Sequence, residues 1–236
     1  MGALRGTDHG AITVAVVGTL ASTSLTARLR RFRELHPRVD LRLRTALSRE
    51  VSELVRRGDA TLGLRYDVDP HPELVSTRIH DEPMVPVCSA HHRLARARRV
   101  DARALAGERW ITFPVRPGPA REPYASALER GLALIGVSGA EIVPIDSLTA
   151  QKRMVEAGFG LALLQESSVE EELRAGTLHA LPLSAMRVTV PVVLIHRRRA
   201  YQSGATRSLM AMLADWPSDT RPTRRRARSG HRSSSS

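Results

Sequence analysis

The residues of this chain best placed to do chemistry are hydroxyls set where helices should begin. Thr19, Ser22, Thr23 and Ser24 fall between the apolar run Ile12–Val17 and an amphipathic stretch that closes at Leu35. A hydroxyl in that position either caps the helix or, with the free backbone N–H groups beside it, holds an anion. Ser48 heads a second such stretch, and Arg65 follows the next apolar run with a planar fork suited to a carboxylate. Capping accounts for Ser22 and Thr23, and an ordinary surface arginine accounts for Arg65 nearly as well. Cys88 beside His91 and His92 offers at most three metal ligands, and a lone thiol has no resolving partner. A buried cysteine is the simpler account, and neither a metal nor a cofactor is expected. Gly158-Phe-Gly160 fails the dinucleotide fingerprint because Leu163 stands where a third glycine should. No G-x-S-x-G, Walker A or H-E-x-x-H pattern occurs.

The elements that must position these groups follow from periodicity. Ile12–Val17 has the unbroken β-branched character of a strand buried on both faces, as in a parallel sheet covered by helices. Leu25, Leu29, Phe32 and Leu35 recur at helical spacing, and His36-Pro37 ends that helix. Val39–Arg44 alternates, which sets Val39, Leu41 and Leu43 inward. Ser48 caps a helix with Val51, Leu54 and Val55 on one face, Gly58 suits its end, and Thr61–Leu64 is a third strand. This βαβαβ order predicts a parallel unit with the Thr19 and Ser48 loops on one edge, the carboxyl edge where open α/β sheets bind ligands.

The pattern then repeats. Trp110–Phe113, a helix over Tyr124–Ile135, Glu141–Ile145, a helix capped by Asp146 and Ser147 and running to Val155, Leu161–Leu164, a helix near Ser167–Leu173, and Leu178–Leu181 make a second unit. Glu82–Cys88 and Val188–His196 are both strand-like with a central proline, Pro86 and Pro191. Proline is not tolerated inside a sheet, so the two read as paired crossovers between the units. The helix Gly204–Trp216 then returns to the first unit. The predicted fold class is α/β with two lobes, each a mainly parallel sheet flanked by helices. Residues 10–86 plus 189–216 form the first lobe and 87–188 the second, with a ligand cleft between them. Thr112, Tyr124 and Ser147 approach that cleft from the second lobe, although Tyr124 also suits a core.

Composition narrows the function. The chain has 236 residues, a net charge of +12 and 3 % aromatic content, so aliphatic side chains must fill its cores. Residues 221–236 hold six arginines and no acid, which leaves +6 on residues 1–220 and weakens a nucleic-acid reading. The leader 1–9 and the tail 217–236 lack the apolar content to fold. One cysteine excludes an intrachain disulfide and fits a reducing compartment. The apolar run after Arg5 has some features of a signal peptide, but Asp8, His9 and Thr13 interrupt it and a patterned helix follows.

In this order the chain resembles the effector-binding domain of LysR-type transcriptional regulators, over about residues 10–216. The resemblance rests on Gly10 and its strand, Phe32 with His36-Pro37, Gly58, Asp81-Glu82-Pro83 and His92-Arg93-Leu94-Ala95. It rests further on Val155-Glu-Ala-Gly158-Phe-Gly160-Leu-Ala-Leu-Leu164, followed by Gly176-Thr-Leu178 and Leu181-Pro182. Thr61, Arg93 and Gln165 depart from the family pattern, which has Asp, Pro and Pro at those places. Family members also carry an N-terminal winged helix-turn-helix, for which the residues before Gly10 leave no room.

The resemblance implies a periplasmic-binding-protein-like fold and a cytoplasmic sensor. It implies a small anionic effector in the cleft and a homodimer, with no catalysis and no sequence-specific DNA contact from this chain itself. Thr19 and Ser48 match hydroxyl positions lining the family's cleft, and Phe113-Pro114 with Pro123-Tyr124-Ala125 looks like the branch that senses aromatic-pathway acids. Two rivals stay open at this point: an enzyme on the same scaffold, with Arg65 and His80 as its titratable groups, and a secreted solute-binding protein.

Overall fold

A computed structural model describes residues 10–115, 123–183 and 185–215. The expected leader 1–9, the tail 217–236 and most of the proline loop 114–123 lie outside the described residues. The opening run forms β1, Gly10–Val17, in which Val14, Ala15, Val16 and Val17 are all buried, so consecutive side chains facing opposite ways both meet core. α1, Thr23–Leu35, starts at Ser22, whose hydroxyl accepts the Leu25 N–H at 3.4 Å, and it buries Leu25, Leu29 and Phe32. Leu35 is exposed instead of closing that face. β2, Val39–Ala46, runs parallel to β1, with Gly10 opposite Val39 and Val17 opposite Ala46.

Leu43 corrects the sequence reading: it is not buried but 45 % exposed. Among the described residues β2 pairs only with β1, and as the edge strand it has cover for Val39 and Leu41 but little for its later half. α2, Ser48–Arg57, ends at Gly58, which takes φ 86° to close the helix. β3, Leu62–Tyr66, lies parallel on the other side of β1.

β4 is one strand of sixteen residues, Leu74–Ser89, longer at its start than the expected segment Glu82–Cys88. Its first part pairs antiparallel with β9, Val188–Arg197, and around Met84 it changes partner to β7, Leu161–Gln165, also antiparallel. Both prolines fit because each uses only its carbonyl: Pro86 accepts the Leu181 N–H and Pro191 accepts the Asp67 N–H, each at 2.8 Å. β5, Arg109–Thr112, runs parallel between β6, Glu141–Pro144, and β7. β8, Leu178–Ala180, pairs with β4. The sheet order is β2-β1-β3-β9-β4-β7-β5-β6, so β4 and β9 join a parallel half containing β1–β3 to a second half containing β5–β7.

Helices complete both halves. The expected helix from Tyr124 is a tight 3-10 turn, Pro123–Ser126, followed by α3, Ala127–Leu134. α4, Leu148–Glu156, is capped by Ser147, and α5, Glu166–Ala175, follows β7 directly. Val87, Ile111, Val155, Ala162, Leu164, Val169 and Leu178 form a core of their own under α4 and α5. α6, Gly204–Ala214, packs on α1 and buries Leu209 and Leu213.

Candidate functional site

Where the two halves meet, a line of buried side chains crosses from one to the other. Thr19 stands in the 3-10 turn Gly18–Leu20 after β1, 6 % exposed, with its hydroxyl 2.9 Å from that of Tyr66. Tyr66 ends β3 and is fully buried. Its ring meets Tyr124 edge-on with centroids 5.1 Å apart, and Tyr124 meets Phe113 edge-on at 4.8 Å. The neighbouring carboxyl ends of β1 and β3 supply the first two residues. The segment following β5 and the turn before α3 supply the others.

The polar groups beside this line are also buried. Glu82, 2 % exposed on β4, accepts the Ser167 N–H at 3.0 Å, and its other oxygen lies 3.0 Å from His80 Nε2. A carboxylate at the first turn of α5 complements the positive end of that helix. Gln165 ends β7 with no exposed surface, and its side chain hydrogen-bonds the Tyr66 hydroxyl. Burial pushes the Tyr66 phenol well above its ordinary pKa, the Glu82 charge adds to this, and the hydrogen bonds with Thr19 and Gln165 offset only part of it. Tyr66 therefore stays a neutral donor and acceptor.

The other expected residues fall differently. Thr112 is buried at the end of β5, next to Phe113, and its carbonyl accepts the Ile145 N–H at 2.8 Å. Ser48 is buried as the first residue of α2, but it is not the cap. Leu47 precedes the helix, and the Glu50 carboxylate accepts the Leu47 N–H at 3.0 Å. Arg65 gives its fork to Ser52 Oγ at 2.7 Å and to the Asp69 carboxylate, with its Nε on the Tyr66 carbonyl at 3.1 Å. Ser147 is exposed and caps α4, accepting the Ala150 N–H at 3.3 Å. Thr19 and Tyr124 are thus brought together, through a residue the sequence reading did not single out.

Tyr66, Glu82 and Gln165 are the additions. Tyr66 follows Arg65 directly, at the carboxyl end of a strand, and that position was its signal. Gln165 had a signal as a departure from the family pattern. Cys88 is buried on β4, and burial, helped by the Glu108 charge, pushes its thiol up to about 11. Among the described residues no group of three or more His, Cys, Asp or Glu stands close enough to hold a metal ion. Nor is any described helix long and apolar enough to cross a membrane.

The LysR substrate binding domain family matches residues 5–218. This chain belongs to that family. Its LysR relatives include the HTH-type transcriptional regulator CfxR of Cupriavidus necator, 27 % identical over 90 % of this chain and 65 % of the relative. YusT of Bacillus subtilis, named as a regulator of the same type, is 26 % identical over 85 % and 64 %. The chain thus spans about two thirds of the length of those regulators. Among solved structures it is similar to the cofactor-binding domain of the Cbl transcriptional regulator, with a TM-score of 0.75, 23 % identity, and coverage of 90 % of this chain and 91 % of that one. The BenM effector-binding domain with its effector benzoate gives 0.70 at 20 % identity, covering 86 % and 90 %. The QuiR effector-binding domain with shikimate gives 0.71 at 15 %, covering 87 % and 96 %. These LysR domains share the two-lobed, periplasmic-binding-protein-like fold.

Proposed function

We propose that this chain is the effector-sensing part of a LysR-type transcriptional regulator, binding a small ring carboxylate between its lobes. The observation that carries the reading is the buried line Thr19–Tyr66–Tyr124, which ties hydrogen-bonding groups and flat aromatic walls from both halves to one place. Walls of that kind suit a ring, and a hydroxyl such as Thr19 suits a carboxylate oxygen. Benzoate and shikimate, held by BenM and QuiR, are both ring carboxylates. Binding would act by shifting the balance between lobe orientations, so the ligand must favour one of them by differential contact. Residues 10–86 with 189–216 and residues 87–188 are the lobes in this account, and β4 and β9 are the hinge strands.

The protein works in the cytoplasm, without catalysis, as a homodimer formed through the first lobe. Edge strand β2 and the exposed Leu43 support that interface. Sequence-specific DNA contact comes from a helix-turn-helix outside this chain. A thermal-shift screen of ring carboxylates tests the reading, since a ligand that binds only the native state must raise the melting temperature. At least one acid should do so at submillimolar concentration. Stabilisation by none, or only by uncharged or cationic compounds, would remove the carboxylate assignment. Light scattering should report a dimer at micromolar concentration.

A further inference from the structure

The amino edge of the first half, away from the Thr19–Tyr66–Tyr124 line, carries a pocket of about 700 Å³. The end of α2, the turn entering β4 and the turn leaving β9 wall it, and they bring Arg56, Arg197, Arg198 and Arg199 to one place. Glu73 is the one acid lining it among the described residues. Arg197 is five residues along β9 from Val192, the partner of Tyr66, so this pocket stands roughly 17 Å from the buried line at the antiparallel rise per residue. Its two turns are tied to each other. Arg198 donates from Nε to the Pro72 carbonyl at 2.9 Å and from Nη2 to the Leu74 carbonyl at 3.2 Å, and its backbone N–H reaches the Glu73 carbonyl at 2.8 Å. The walls are thus fixed by the fold.

Charge says what such a pocket takes. Arg56 has Glu53 at 2.6 Å and Glu73 at 3.9 Å. Arg197 and Arg199 have no ion-pair or hydrogen-bond partner for their guanidinium groups among the described residues. Arg197 instead rests its guanidinium on Gly58, where a Cβ would stand 3.3 Å from the central carbon and from both Nη atoms. The carbonyls at the end of α2 favour a cation there, and the fork keeps its N–H groups for a ligand. Three consecutive arginines around one turn repel one another unless an anion joins them. A phosphate monoester carries nearly two negative charges at neutral pH and three acceptor oxygens, which match two such forks. Tyr201 lines the same pocket and is 84 % exposed, so its ring offers a stacking face to a flat group. A closed-in pocket of this size suits a small molecule, whereas a duplex follows an extended basic stripe. We propose that this pocket is a second ligand site for a phosphate monoester bearing a flat ring, the chemistry of a nucleotide. Arg197 and Arg199 hold the phosphate, and Tyr201 stacks on the ring. The site is independent of the ring-carboxylate reading, and the failure of either leaves the other standing.

Calorimetry on the whole chain at physiological salt tests this with AMP, CMP, adenosine and inorganic phosphate as probes. The proteins are the wild type, Arg197→Ala/Arg199→Ala, Arg199→Ala, Tyr201→Ala and, as a charge-matched control, Arg31→Ala/Arg33→Ala on the exposed face of α1. At least one nucleotide should bind the wild type at submillimolar concentration, about tenfold or more tighter than adenosine or phosphate. The pocket double variant should lose about tenfold or more of that affinity, and Arg199→Ala a part of it. Tyr201→Ala should weaken the nucleotide by about fivefold or more and leave phosphate binding as it was. Arg199 stands in an exposed turn, so its single variant keeps the test open if the double variant folds poorly. The α1 control should stay within about twofold of the wild type. Equal losses in the control and the pocket variants would trace the binding to overall charge and the arginine-rich tail, and would overturn the proposal. Nucleotide affinity indifferent to the pocket arginines, phosphate bound as tightly as AMP and CMP, or binding of neither nucleotide overturns it as well. So does displacement of the nucleotide by a blunt DNA duplex without terminal phosphates, which would give these arginines to a nucleic-acid backbone.

Discussion

The Thr19 hydroxyl lies 2.9 Å from the Tyr66 hydroxyl, joining residues at the ends of two adjacent parallel strands. Both side chains are buried, so removing one partner strands the other away from water. Tyr66→Phe and Thr19→Val should each cost about 1–3 kcal/mol of stability. The double variant should cost less than the sum of the two, because neither hydroxyl is then left without the other. Denaturant unfolding of the four proteins measures this coupling. Strict additivity would show that the two hydroxyls do not depend on each other. For a ring acid found by the screen, either single variant should weaken binding by about tenfold or more.

Asp69 and Arg65 form a pair with side chains only 12 % and 11 % exposed. Burial by itself would raise the Asp69 carboxyl, but the Ser52 hydroxyl, the His71 N–H and the Arg65 charge together hold it below its ordinary value. A carboxyl lowered in the folded state stabilises the fold above its unfolded pKa, and that contribution fades as pH falls through the folded value. The window is therefore acidic, below about pH 4. Asp69→Asn should be less stable at pH 7, by about 2 kcal/mol or more if the unpaired guanidinium stays buried. It should also lose less stability than the wild type on going below pH 4. Parallel pH profiles of the two proteins would contradict the assignment.

Cys88 should be inert in the folded protein. It is buried and its thiol is pushed up to about 11, so the thiolate that reacts with alkylating or disulfide reagents is scarce at neutral pH. Treatment with a chromogenic disulfide at pH 8 should label it slowly, at the rate of local opening, and rapidly once denaturant is added. Fast stoichiometric labelling of the native protein would restore the redox reading that its sequence neighbours His91 and His92 suggest.

Much of the fold was legible because strand and helix periods were clean. Ile12–Val17 read as a strand buried on both faces and Leu161–Leu164 as a strand, and Gly58, Gly158 and Gly176 take the positive φ that helix ends require. The two prolines announced the crossing strands, since a proline fits a strand where its missing N–H is not needed by the ladder. Leu43 misled because alternation reports which side chains could face inward and not whether anything covers them at a sheet edge. Less of the site was legible. Thr19 and Tyr124 could be placed from the ends of their elements, whereas Tyr66, Glu82 and Gln165 converge from β3, β4 and β7 and share no local pattern. Arg65 illustrates the same limit. Its fork is visible in the sequence, but its partner Asp69 follows a strand end whose turn no periodicity describes.

Two glycines in one motif separate backbone strain from close packing. Gly158 closes α4 with φ 83° and has open space where a Cβ would go, so its requirement is conformational. Gly160, two residues on, has no such φ, but a Cβ there would come 2.5 Å from the Arg109 carbonyl oxygen of the neighbouring strand. Backbone cannot step aside as a side chain can, so Gly160→Ala must push β7 away from β5, where Leu161 pairs with Trp110. The cost should be about 1–3 kcal/mol, or roughly 2–12 °C in melting temperature for a domain of this size. Gly158→Ala should cost about 1 kcal/mol through the left-handed backbone alone, and Gly158→Asn less, because asparagine tolerates that region. Asparagine at 160 should be worse than alanine, since it adds bulk where a Cβ already collides. Thermal melts of the four variants give the order, and an alanine tolerated at 160 while alanine at 158 is not would reverse the two explanations.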